Sequence, residues 1–199
     1  MKKTTLLLTV IAVFAAWNCS GDAKKKETTL SLAQESFQLS MPGMAKEVTT
    51  YMETKGVAET VVYCQSFSPE YMSGKEKELI KLFAEKHNLQ AVSIGRASLK
   101  TRNSSNTPDE TQKQILDAWA QSEQAGTKAS PTVVGKGKEY TAMIPIRIAG
   151  EACLKCHGPA DTLDEEVKTI LAETYPQDKA VGYSLGELRG AFYFKALYR

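Results

Sequence analysis

Three of the chain's six cysteine and histidine residues fall within one short run, Cys153-Leu154-Lys155-Cys156-His157. Two thiols separated by two residues can each add to one vinyl group of a single porphyrin, and the imidazole that follows is then held against the iron. C-x-x-C-H is therefore the attachment pattern for covalent haem c. It arises by chance in roughly one chain in a thousand of this length and Cys/His content. Two other chemistries use the same atoms. A Cys-x-x-Cys pair can serve as a redox dithiol, although that use goes with a strand-turn-helix setting. Cys153 and Cys156 with Cys64 and His87 would make a Cys3His zinc set, although the second pair lacks the close spacing of zinc modules.

With haem present, His157 is the proximal ligand, and the sixth iron position decides function. A second strong ligand favours electron transfer, and a vacant or weakly held one favours small-molecule binding or catalysis. Candidates are few. His87 ends an amphipathic helix, where a solvated histidine is the ordinary reading. Met143 is the best placed of the methionines, opposite the isoleucines of a hairpin. Cys64 lies on the inner face of a helix, where a cysteine commonly serves as a small buried hydrophobe. No distal histidine with a nearby arginine accompanies them, so peroxidase-like catalysis is not expected, and neither is any other enzyme activity.

The N-terminus reads as an export signal over residues 1–18. Met1-Lys2-Lys3 is basic, and the apolar run from Leu6 to Ala16 is too short to span a bilayer. A cysteine follows at position 19 where a small-x-small cleavage site would otherwise stand, which makes Cys19 the expected acylation site of a bacterial lipoprotein, with polar residues 19–29 as a tether. That places the protein on the periplasmic or cell-surface side of a bacterial membrane, where thioether attachment is completed. Loss of Lys2 and Lys3 leaves 23 basic against 23 acidic residues, and nothing points to a nucleic-acid partner. About 180 residues remain, enough for one domain and too few for an additional output module.

These residues need a scaffold. Leu30 to Gly56 reads as helical with an interruption at Met41-Pro42-Gly43, on an imperfect stripe of Leu32, Phe37, Leu39, Met44 and Val48. Val57, Val61, Cys64 and Ser68 recur at helical spacing up to Pro69, and Lys75 to His87 forms an amphipathic helix. Ala91–Ile94 is a strand. A helix starts with Thr107 as its N-cap and Pro108 at its first position, carries Ile115, Leu116 and Trp119, and stops before Gly126. Residues 131–148 form a hairpin, with Pro145 marking either an edge strand or a position lacking a ladder bond. A helix spans residues 163–174, and Phe192, Phe194, Ala196 and Tyr198 alternate along a terminal strand. Helices first and antiparallel strands later predict an α+β domain over residues 30–199.

Five runs in order carry a resemblance. Arg96-Ala97-Ser98-Leu99-Lys100-Thr101-Arg102-Asn103, Asn106-Thr107-Pro108-Asp109, Cys153 to Gly158, Tyr175-Pro176-Gln177-Asp178-Lys179-Ala180-Val181-Gly182-Tyr183 and Glu187-Leu188-Arg189-Gly190-Ala191 together resemble the bacterial c-type haem sensor family. That family was long catalogued as a domain of unknown function, and its members stand alone or are joined to histidine kinases and chemoreceptors. The resemblance implies a PAS-like antiparallel sheet with N-terminal helices. It also implies an iron held by His157 and by a cysteine on an early helix, whose setting Val62-Tyr63-Cys64 matches. Arg96 and Arg189 are the favoured partners of the haem propionates, and Asn103 and Asn106 are expected to build a turn. The expected function is sensing of redox state or a diatomic gas, with signals passed to a separate signalling protein. The alternative is a periplasmic electron-transfer cytochrome with a redox partner.

Overall fold

The computed structural model describes the backbone from residue 4 and the side chains from residue 21. The expected signal peptide and the acylation site Cys19 lie outside the residues whose side chains are described. Two long helices open the chain, α1 (Thr4–Lys55) and α2 (Val57–Phe83). They are joined by Gly56 alone, at a φ of 90° that favours glycine. The strands β1 (Leu89–Ala97), β2 (Thr132–Lys136), β3 (Glu139–Arg147) and β4 (Leu188–Tyr198) follow, with helices α3 (Glu110–Gln124), α4 (Glu151–His157) and α5 (Glu165–Thr174) between them. They form a four-stranded antiparallel sheet in the order β1-β4-β3-β2. This is the expected α+β arrangement of N-terminal helices and an antiparallel sheet.

Strand alternation sorts the core into two layers. Ile94, Ala142, Ile144, Phe192, Phe194 and Ala196 face α1 and α2, where they bury Leu32, Ala33, Met44, Leu79 and Phe83. Met143 and Ala191 face the other way, onto Ile115, Leu116 and Trp119 of α3. Deep burial of side chains this large contributes about 1.5–3 kcal/mol each. It fixes the strand register, since a slip of one residue would turn each of them to the wrong face.

Several local expectations change. The predicted interruption at Met41-Pro42-Gly43 and the stop near Pro69 are absent, because both prolines lie inside continuous helices. Pro42 and Pro69 are exposed, and so are Gln38 and Gln65 four residues earlier. The carbonyls deprived of a partner thus sit on the solvent side, where water can replace the lost bond. The N-cap of α3 is Asp109 and not Thr107: Asp109 accepts from the Gln112 amide at 2.8 Å, and the Gln112 side chain accepts from the Asp109 amide at 3.0 Å. That reciprocal box satisfies two amides, while Thr107 closes the preceding turn with its own amide bonded to Ser104. Pro145 sits on a central strand, but beyond the point where β2 ends, with Thr132 opposite Met143.

The stretch expected as a tether is also structured. Asp22 accepts from the Gly137 amide at 3.1 Å and from the Tyr140 hydroxyl at 2.5 Å. Lys25 donates to the Gly137 carbonyl at 2.6 Å, and Thr29 bonds the Tyr198 hydroxyl at 3.0 Å. The first described turns of α1 thereby grip the β2–β3 hairpin. Among the described residues no helix is long and apolar enough to cross a membrane.

Candidate cofactor site

A recess of about 290 Å3 opens where the far end of α1, the first half of α2, β1, the loop after it, α4 and the start of β4 meet. Helical spacing explains which side chains reach it. Met41, Met44, Ala45, Val48 and Met52 come from one face of α1, and Val61, Cys64 and Ser68 from one face of α2. The seven residues of α4 put Cys153 and Cys156 at i, i+3 and Cys153 and His157 at i, i+4, so both thiols and the imidazole share one helical face. Cys64, Cys153, Cys156, His157, Arg96 and Arg189, each singled out by sequence, all line this recess.

His157 is fixed from behind. Its Nδ1 lies 2.7 Å from the Ala180 carbonyl oxygen. A carbonyl only accepts, so Nδ1 carries the proton and Nε2 keeps its lone pair. Burial, then the nearby Arg102 and Arg189 cations, push the His157 imidazole down to about 3. The ring is therefore neutral in ordinary conditions, the form that ligates a metal. Burial also raises the Cys64 thiol, against the lowering effect of Arg96 and Arg102, and pushes Cys156 up to about 11. All three described cysteines are free thiols.

Positive charge gathers at one side. Arg102 is committed: its Nε donates to Asp178 at 2.9 Å, and its Nη2 donates to the Cys156 carbonyl at 2.6 Å. It ties the attachment segment to the loop that supplies Ala180. Arg189 donates to Ser98 Oγ at 2.7 Å and to the Lys100 carbonyl at 2.9 Å, with its guanidinium over the Tyr183 ring. Arg96 donates through Nη2 to Ser68, while its buried Nε has no partner. Neither Arg96 nor Arg189 is paired with a carboxylate among the described residues. Two uncompensated guanidiniums, one with an orphaned donor, suit an anionic group such as a porphyrin propionate.

The Cys3His alternative does not assemble. His87 lies past the end of α2, stacked edge-on against Phe83, and helix rise puts it roughly 30 Å from Cys64. Among the described residues no three His, Cys, Asp or Glu side chains close on one point as a bare ion requires. The thiols and the imidazole instead line the walls of a space, as a large planar cofactor between them would demand. Met143 is also removed from candidacy, being fully buried against α3 on the far side of the sheet. The methionines that reach the recess are Met41, Met44 and Met52. Their spacing along α1 was visible in the sequence but indistinguishable from a core stripe. Asn103 and Asn106 do build the turn, with Asn103 Oδ1 accepting from the Ser105 amide at 2.9 Å, yet both also line the recess. Tyr175, buried in the cluster between α2 and α5, lines it too.

A family model described as Tll0287-like: Tll0287 matches residues 22–196. Among solved structures, the chain is similar to the crystal structure of the cyanobacterial haem protein Tll0287. The match is 21% identical, covers 62% of this chain and 70% of that one, and has a TM-score of 0.44. No curated protein matches.

Proposed function

Since the chain belongs to the Tll0287-like family, we propose that it is an extracytoplasmic haem c protein anchored through Cys19 that senses redox state or a diatomic gas. One observation carries this reading. Cys64 from α2 and Cys153, Cys156 and His157 from α4 converge on one recess with Arg96 and Arg189. Cys153 and Cys156 would hold the porphyrin through thioethers, His157 would offer Nε2 to the iron, and Cys64 would offer its sulfur as a second ligand. Arg96 and Arg189 receive the propionates, and the Met and Val side chains of α1 exclude water from the porphyrin face. The family's namesake is a haem protein, which agrees with this assignment.

The haem would supply a one-electron iron couple at which small ligands compete. The chain sets how that couple behaves. A Cys64 thiolate would favour the ferric state, and its hold would weaken on reduction, where the protonated thiol would compete. Cys64 sits in the third turn of α2, which packs on β1 and against α5, so release of the sulfur would free the start of a helix that joins the sheet edge to α5. A PAS-like sensor needs such a movable element, and no catalytic step is assigned to the site. An electron carrier is the competing reading, distinguished by a ferrous form that refuses carbon monoxide.

The test is an alkaline pyridine haemochrome spectrum with haem staining on a denaturing gel, after co-expression with cytochrome maturation factors. Stain on the intact chain, lost in Cys153→Ser/Cys156→Ser, is the expected result. A colourless, unstained wild-type protein would refute the reading.

A further inference from the structure

The grip of α1 on the β2–β3 hairpin has a geometric consequence outside the recess. Asp22 and Lys25 clamp Gly137 from both sides, through its amide and its carbonyl. The hairpin tip is therefore fixed to a point three residues from position 19, a stretch of chain that reaches at most about 11 Å. Lys136 and Lys138 flank Gly137 on that tip, and Lys24 and Lys26 flank Lys25 on the helix, all four exposed. None of the four is paired with a carboxylate among the described residues. The acids at this end are Asp22, already engaged by Tyr140 and Gly137, together with Glu27 and Glu139.

We infer that this end of the domain, built from Lys24, Lys26, Lys136 and Lys138, is a docking face for anionic lipid headgroups. The inference rests on the proposed acylation of Cys19, which would hold these ammonium groups within about a Debye length or two of the bilayer, where surface potential is felt. The clamp gives the tether no slack, so the lipid anchor and the lysines act as two signals on one rigid end. The recess then stands away from the bilayer, because Met44 is 22 residues further along α1 than Asp22, roughly 30 Å at helical rise.

The mature holoprotein, residues 19–199 with Cys19→Ser so that no acyl chain is present, isolates the charge effect. Its partition is measured by sedimentation with vesicles of phosphatidylcholine alone and with one-third phosphatidylglycerol, at low and high salt. Preference for the anionic vesicles, abolished by salt, is expected. Each lysine near such a surface is worth about fivefold in partitioning, so Lys136→Gln/Lys138→Gln should weaken binding roughly 30-fold. Lys46→Gln/Lys55→Gln, exposed at the recess end of α1, should leave it unchanged. Equal binding to both vesicles, or equal loss in the two lysine pairs, overturns the docking face. Mass spectrometry of the wild-type N-terminal peptide reads acylation separately: an unacylated Cys19 overturns the anchor while the vesicle result still decides the lysine face.

Discussion

Replacing Arg102 by alanine tests whether the recess is held together by one buried cation. Its guanidinium side chain is 12% exposed and that of its partner Asp178 is 10% exposed. Removing one member of such a pair leaves the other charge stranded, at a cost of 3–5 kcal/mol when burial is complete. Residual exposure brings the expectation to about 3 kcal/mol. The short bond to the Cys156 carbonyl is lost as well, but Asp178 keeps its contact to the Ala180 amide at 2.7 Å, so the two losses do not add fully. For a domain of this size about 3 kcal/mol corresponds to a fall in Tm of roughly 6–12 °C. Urea unfolding followed by far-ultraviolet circular dichroism measures it. Asp178→Asn supplies the second edge of a cycle, and the double variant should recover about 1–3 kcal/mol relative to the sum of the singles. A cost below about 1 kcal/mol, or strict additivity, would refute the claim that this pair fastens the attachment helix to the loop orienting His157.

Cys64→Ala should alter the ferric absorption spectrum and raise the reduction potential, while costing about 1 kcal/mol or less in stability because the thiol is small and half-buried. An unchanged ferric spectrum would remove Cys64 from the iron. Tyr140 gives the pH prediction. Burial and its bond to Asp22 push its phenol up to about 12, whereas the unfolded chain releases that proton near 10. The stability that Tyr140 contributes is therefore complete below about pH 10 and lost as pH climbs towards 12. Burial also raises Tyr63, Tyr175 and Tyr198, so spectrophotometric titration should show several late phenols, and Asp22→Asn should move one of them earlier; no change in that variant contradicts the clamp.

How far the sequence carried the reading depended on whether each signal was local. The attachment motif is five residues long, and its chemistry needs no knowledge of the fold. Strands β1, β3 and β4 follow from alternation, and α3 from its amphipathic stripe. Pro42 and Pro69 misled because a proline's cost in a helix depends on whether the freed carbonyl faces water, which is a tertiary property. Arg102 was passed over in favour of Arg96 and Arg189 for the same kind of reason. Among several arginines in matching runs, only the fold shows that one reaches Asp178 and the Cys156 carbonyl while another keeps an orphaned Nε. Leu39, placed on the buried stripe of α1, is 42% exposed, and the stripe instead passes through the small residues Ala33, Ser36 and Ser40 where the helix crosses the sheet. Small polar residues at a close crossing carry no hydrophobic signal.

The Cys156 thiol, weakened as an acid by burial, bears on the order of events during biogenesis. With α1 and α2 packed beside α4, that sulfur is half-buried and almost wholly protonated, a poor nucleophile. The segment it belongs to, by contrast, is contiguous, and the opposing wall comes from residues some ninety positions upstream. On the proposed haem c assignment, thioether formation would come before the two walls meet, and the apolar lining would close around a guest already in place.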